Sequence, residues 1–215
     1  MLLVGAFFLL GQTQKAYACS ILLDPASPVP GASAVTGQAE DDQARRHVLA
    51  GAQVTYTFCP PASGSHYNIA GLGPIEPRFY GPNDVAEPQG WLHNLEHGAM
   101  VVLYSCARNG CDSGSLDRLK QLVTTLPDSP VCKLKAGRIS PVVARFDEMK
   151  APFAAVVWNR VLFQNTLDIG QIEQFYANEA ERTNPEPQCD MSMSASPSPG
   201  STGPTESASP SPSGT

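Results

Sequence analysis

Three of the chain's four histidines, His66, His93 and His97, fall within or beside one stretch rich in proline and glycine. His93 and His97 stand four residues apart in the run His93-Asn94-Leu95-Glu96-His97. On a turn of helix that spacing puts both rings on one face, with Cβ atoms about 5–6 Å apart. Two imidazoles so placed can share one metal ion. His66, in Ser63-Gly64-Ser65-His66-Tyr67, offers a third nitrogen from the loop, and Glu96, Cys59 and Tyr67 are further donors near the same place. Neutral imidazole suits copper and zinc. The expectation is a metal centre with His66, His93 and His97 as ligands and copper or zinc as the ion. Two other readings stand beside it. The histidines can hydrogen-bond neighbouring carbonyls and only order the loop of a secreted interaction module. Alternatively, the cluster can serve a metal-dependent hydrolase or redox enzyme in which Glu96 is the catalytic base.

Other chemistries find less support. The run also spells H-x-x-E-H, the signature of inverzincin metallopeptidases, in which the glutamate activates water. That motif belongs on a long helix, whereas Gly98 follows at once as a helix stop and an apolar strand begins at Ala99. There is no glycine-rich phosphate loop and no G-x-S-x-G elbow. Ser63 and Ser65 lie near His66, but no oriented triad can be read from them. A net charge of −6 argues against nucleic acid, which calls for a basic stripe.

These residues need a scaffold, and the patterning describes one. Val54-Thr55-Tyr56-Thr57-Phe58 is strand-like in residue type. Residues 60–90 form a long ordered loop, which in a compact domain is usually functional. Residues 99–104 read as a buried strand. Ser113 or Ser115 can cap a helix over 116–126, striped by Leu116, Leu119, Leu122, Val123 and Leu126. Residues 139–146 and 153–159 read as two strands joined by a turn at Asp147-Glu148-Met149-Lys150, in which Asp147, Glu148 and Lys150 are expected to be solvated. Asp168 can cap a last helix whose inner face carries Ile169, Ile172, Phe175 and Tyr176. Trp91 and Trp158, the latter in a strand, are expected in the core, and His47 is expected at the surface. The fold class is α+β: a small antiparallel or mixed sheet with helices on one side, and a Pro/Gly-rich loop carrying the histidines.

The chain ends bear on location. The apolar run in Met1–Gly11 is short for a bilayer span, which takes roughly 20 residues. It suits the core of a signal peptide, and Ala16-Tyr17-Ala18 provides the small-x-small cleavage pattern. A cut there would make Cys19 the new N-terminus; lipidation of Cys19 is the competing reading, with Ala16 and Tyr17 a poor lipobox. The expected division is a signal peptide over 1–18, a loose N-terminal lead-in over 19–50, one domain over 51–189, and a Ser/Pro-rich disordered tail over 190–215. No later stretch is apolar enough to anchor the chain. The six cysteines, Cys19, Cys59, Cys106, Cys111, Cys132 and Cys189, all follow the expected cut. An even number in an exported chain favours disulfides, with 15 connectivities open. Cys106 and Cys111 make the natural local pair, and Cys19 and Cys189 could tie the ends.

Three segments carry a resemblance to a known family. They are Cys59-Pro60-Pro61-Ala62-Ser63-Gly64-Ser65-His66-Tyr67; Trp91-Leu92-His93-Asn94-Leu95-Glu96-His97-Gly98 running into the strand Ala99–Tyr104; and Ala154-Ala155-Val156-Val157-Trp158-Asn159-Arg160 before the final helix. Over roughly residues 50–187 the chain resembles the bacterial family catalogued as domain of unknown function 3105 (DUF3105), which also has eukaryotic members. The resemblance implies export or membrane anchoring and marks His66, His93, Glu96, His97 and Gly98 as motif positions. It implies no activity. Ala62 stands where members typically have Thr, and Ser65 where they often have Pro or Asn; neither change removes a candidate ligand.

Overall fold

The structure, a computed structural model, describes residues 15–26, 31–186 and 189. The tail expected over 190–215 and most of the expected signal peptide lie outside the described residues. In chain order the elements are β1 (Tyr17–Leu22), β2 (Gln38–Ala39), β3 (His47–Val48), β4 (Val54–Cys59), β5 (His66–Tyr67), α1 (Pro88–Glu96), β6 (Val101–Tyr104), a 3-10 turn at Cys106–Arg108, α2 (Ser113–Thr125), β7 (Val142–Arg145), β8 (Phe153–Val157), β9 (Arg160–Gln164) and α3 (Ile169–Glu179). The protein is α+β, as its patterning indicates, but its helices pack on both faces of the central sheet rather than on one.

A five-stranded mixed sheet in the order β2-β9-β8-β6-β7 forms the centre. β8 and β9 make a hairpin closed by Trp158-Asn159. Asn159 takes φ 58°, a left-handed conformation that asparagine tolerates. Trp158 is therefore in the turn, not in a strand, although it is buried as expected. The two strands expected to be joined at Asp147–Lys150 are not neighbours. β6 lies between them, antiparallel to β8 and parallel to β7. The physical reason is burial: Val101, Val102, Leu103 and Tyr104 are all buried, so this strand takes a central position with a partner on each side. The turn expected to be solvated is instead engaged, since Asp147 accepts hydrogen bonds from Arg145, Ser105 and the Ala107 amide.

Alternate residues of the sheet feed two cores. Val101, Leu103, Ala154 and Val156 pack with Tyr56 of β4 and with Trp91, Leu92 and Leu95 of α1. On the other face Met100, Val102, Phe153 and Ala155 meet Leu119 and Leu122 of α2 and Ile172, Phe175 and Tyr176 of α3. Asp168 caps α3 by accepting from the Gln171 amide at 3.1 Å. The cap of α2 is Asp112 rather than either serine, because its carboxylate reaches the Ser115 amide at 2.9 Å.

The segment before residue 50 contributes three of the strands. β1 runs parallel to β4, β2 edges the central sheet, and β3 runs parallel to β5. The expected cut between Ala18 and Cys19 falls inside β1. Cys106 pairs with Cys111 as expected, but Cys19 does not meet Cys189. Cys19 bonds Cys59 and Cys132 bonds Cys189. The parallel pairing of β1 with β4 brings Cys19 within a Cα–Cα distance of 5.8 Å of Cys59, inside disulfide range. Cys59 is therefore committed to sulfur and cannot serve as a metal donor. No helix among the described residues is long and apolar enough to cross a membrane.

Candidate metal centre

Helix α1 carries the central candidate residues because of how it starts and stops. Pro88 opens it with a fixed φ, and all nine residues are buried. Trp91, Leu92 and Leu95 face the sheet core. Gly98, at φ +95°, ends the helix in a Schellman turn: the Gly98 amide donates to the Leu95 carbonyl and the Ala99 amide to the Asn94 carbonyl, both at 2.9 Å. The Asn94 side chain bonds both the N–H and the C=O of Ile75, which fixes the preceding loop to the helix. His93, Glu96 and His97 are thus held against the segment around residue 66.

That segment is positioned as firmly. The Gly64 backbone takes φ +131°, and a Cβ there would lie 2.8 Å from the Tyr56 ring. The Tyr56 hydroxyl donates to the Ser65 carbonyl at 2.8 Å. β5 follows, and its register with β3 sets His47 opposite His66. The Ser63 hydroxyl accepts from the Gln43 amide at 2.9 Å, which ties the lead-in to this segment.

The four rings gather tightly. Ring centroids of His47, His66 and His93 lie 5.0–5.4 Å apart, and those of His93 and His97 lie 4.8 Å apart. Trp158 stands edge-on to His66 at 6.4 Å. His66, His93, Glu96 and His97 are almost wholly buried. The His47 side chain is 49% exposed and forms the solvent side of the cluster. Two overlapping sets of three result, each with ligand atoms within 4.8 Å of one another: His47, His66 and His93, and then His93, Glu96 and His97. The residues singled out in the sequence therefore come together, with His93 common to both sets. Tyr67 contributes its carbonyl rather than its ring.

Hydrogen positions follow from what the partners can do. The Gly64 and Tyr67 carbonyls can only accept, so the Nδ1 atoms of His66 and His93, at 2.8 and 2.5 Å, carry their protons. His93 then directs its Nε2 lone pair inward, whereas His66 Nε2 faces the Glu96 carboxylate, to which it donates a proton when no ion is bound. His66 Nε2 lies 2.9 Å from the Glu96 carboxylate, and His93 Nε2 lies 2.9 Å from His97 Nε2. A lone pair facing a carboxylate repels unless a proton or another cation sits between them. His97 Nδ1 is buried and has no partner among the described residues.

Electrostatics agree with this inventory. Burial drives the His93 imidazole down to about 4, and burial also lowers His97, so both stay neutral at neutral pH. Burial alone would raise the Glu96 carboxyl, but its hydrogen bond to His66 and the surrounding imidazoles outweigh that and bring it below its ordinary value.

His47 was missed in the sequence. It lies before the Pro/Gly-rich stretch that groups the others, and the parallel pairing of β3 with β5 delivers it. Two cavities of about 300 Å³ lie elsewhere, one lined by Ala34, Gln38 and Leu162, the other by Tyr17, Glu87 and Arg145.

Comparison with known proteins adds the family. The family model described as "Protein of unknown function (DUF3105)" matches residues 47–193, and the chain belongs to that family. No curated protein and no solved structure matches the chain.

Proposed function

We propose that this member of the family is an extracytoplasmic protein that binds a divalent transition-metal ion, zinc or copper, in the histidine cluster. The observation that carries the reading is the pair of carbonyl locks. His66 and His93 each donate Nδ1–H to a backbone oxygen, the outer-shell arrangement that fixes a metal-binding imidazole with its Nε2 lone pair forward. Those Nε2 atoms converge with His97 and a carboxylate that together favour a cation at their centre. All six cysteines are paired, so the donors are nitrogen and oxygen, a set that suits zinc(II) and copper(II) better than copper(I). His93 belongs to both sets of three, His66 to one and His97 to the other. Glu96 sits inside the cluster, bonded to His66, which supports a role as ligand or charge partner more directly than as a base facing a substrate. Export is supported by the three disulfides, which persist in oxidising compartments.

Calorimetric titration of the oxidised protein with zinc(II) and copper(II) tests this. About one ion should bind, and His93→Ala, checked for folding by circular dichroism, should weaken binding by more than the 10–100-fold that loss of an outer-shell partner costs. Equal binding by wild type and variant would overturn the assignment.

A further inference from the structure

We propose that the cluster gives its ion two successive positions, a mouth position formed by His47, His66 and His93 and a buried position formed by His93, Glu96 and His97. This rests on the metal-binding reading above. Both sets exist as ligand atoms within 4.8 Å of one another, and both use His93. His93 Nδ1 is tied to the Tyr67 carbonyl, so the ring has one inward nitrogen and the two positions are filled in turn by one ion. They differ in access. His47 is half exposed, whereas His66, His93, Glu96 and His97 are covered. An ion arriving from water therefore meets His47 first.

The intervening contacts suit a transfer. Glu96 Oε2 stands 2.9 Å from His66 Nε2 and 3.7 Å from His47 Nε2, so the carboxylate of the buried set already borders the mouth set. Binding at the mouth displaces the proton shared by His66 and Glu96, which leaves to solvent. Inward movement keeps His93 and exchanges the His47 and His66 nitrogens for Glu96 oxygen and His97 Nε2. His97 must then carry its proton on Nδ1, the buried nitrogen with no partner among the described residues. The Glu96 carboxylate has two oxygens, so it can border His66 through one while it offers the other to the buried position. The cargo is thus an exchangeable divalent cation with affinity for imidazole, taken up from solution or from a small chelator.

Stopped-flow uptake of zinc(II) by the oxidised protein, and its release to a chromogenic chelator, separate the steps. His47→Ala should slow uptake by about tenfold and lower the equilibrium affinity by less than loss of His97 does. His97→Gln should leave uptake fast and lower affinity by about 10–100-fold, as loss of a well-placed partner does at metal sites. If His47→Ala lowers affinity as much as His97→Gln with uptake unchanged, or changes neither rate, the two-position inference is overturned while metal binding itself stands. If wild type binds no zinc(II), the underlying metal reading falls instead.

Discussion

Two backbone carbonyls, of Gly64 and Tyr67, do as much to define the cluster as the imidazoles they hold. The helical spacing of His93, Glu96 and His97 made these three legible in the sequence, and the Pro/Gly-rich stretch drew in His66. The carbonyl locks were not legible, because they depend on the backbone path through Gly64 and on tertiary approach. A second buried group makes a separate prediction. Glu40 has both carboxylate oxygens buried without a hydrogen-bond partner, and burial raises its carboxyl from 4.5 to about 8. The folded protein then keeps a proton that the unfolded chain releases, so this group's contribution is complete below about pH 4.5 and is lost as pH rises through about 8. At about 1.4 kcal/mol per pH unit, a few kcal/mol are at stake. Glu40→Gln should unfold like wild type in urea near pH 4 and resist urea better near pH 9. Parallel curves for the two proteins at both pH values would contradict this.

Among the elements, α1 and the β3–β5 pair decide the geometry. Helix α1 ends where Gly98 indicated, and the Schellman turn explains why a short helix can present His93 and Glu96 with His97 at its cap. Gly98→Val would force a β-branched residue into φ +95° and bring its Cβ to 3.1 Å from Glu181. Strain of this kind costs about 1–3 kcal/mol. The variant should lose that much stability in denaturant unfolding and bind metal more weakly; unchanged stability would show that the turn relaxes freely. β3 is two residues long, and no periodicity announces it. Short pairings of this sort are set by the strands they join, which is why His47 escaped notice. The order of β6, β7 and β8 was hidden for a related reason: each strand was visible as an apolar run, but which run sits in the middle depends on the packing of both faces.

At the scale of the whole molecule, the N-terminal segment is part of the fold. Tyr17 stacks on Phe146 at 5.9 Å and donates to Glu148 at 2.9 Å, and the Ala16 carbonyl accepts from the Val54 amide and from Gln89. A protein beginning at Cys19 loses these contacts, whereas one beginning at Lys15 keeps them. The shorter form should be less stable by about 1–3 kcal/mol, the range for losing buried hydrogen bonds and an aromatic contact. Identical midpoints with identical urea dependence would show that β1 contributes only from Cys19 onward. The α+β class, the two long helices and the Cys106–Cys111 pair were legible because they rest on local pattern. The remaining disulfides were not, since Cys19 reaches Cys59 only through the pairing of β1 with β4, and Cys132 reaches Cys189 across 57 residues.

Metal content measured by mass spectrometry on the purified, oxidised protein decides whether the histidine cluster holds a metal ion. After equilibration with zinc(II) or copper(II) at neutral pH and removal of excess ion, about one ion per chain should remain bound, with near-total loss in a folded His93→Ala/His97→Ala variant. Metal-free wild type, or equal metal in the wild type and the variant, would contradict metal binding by the cluster.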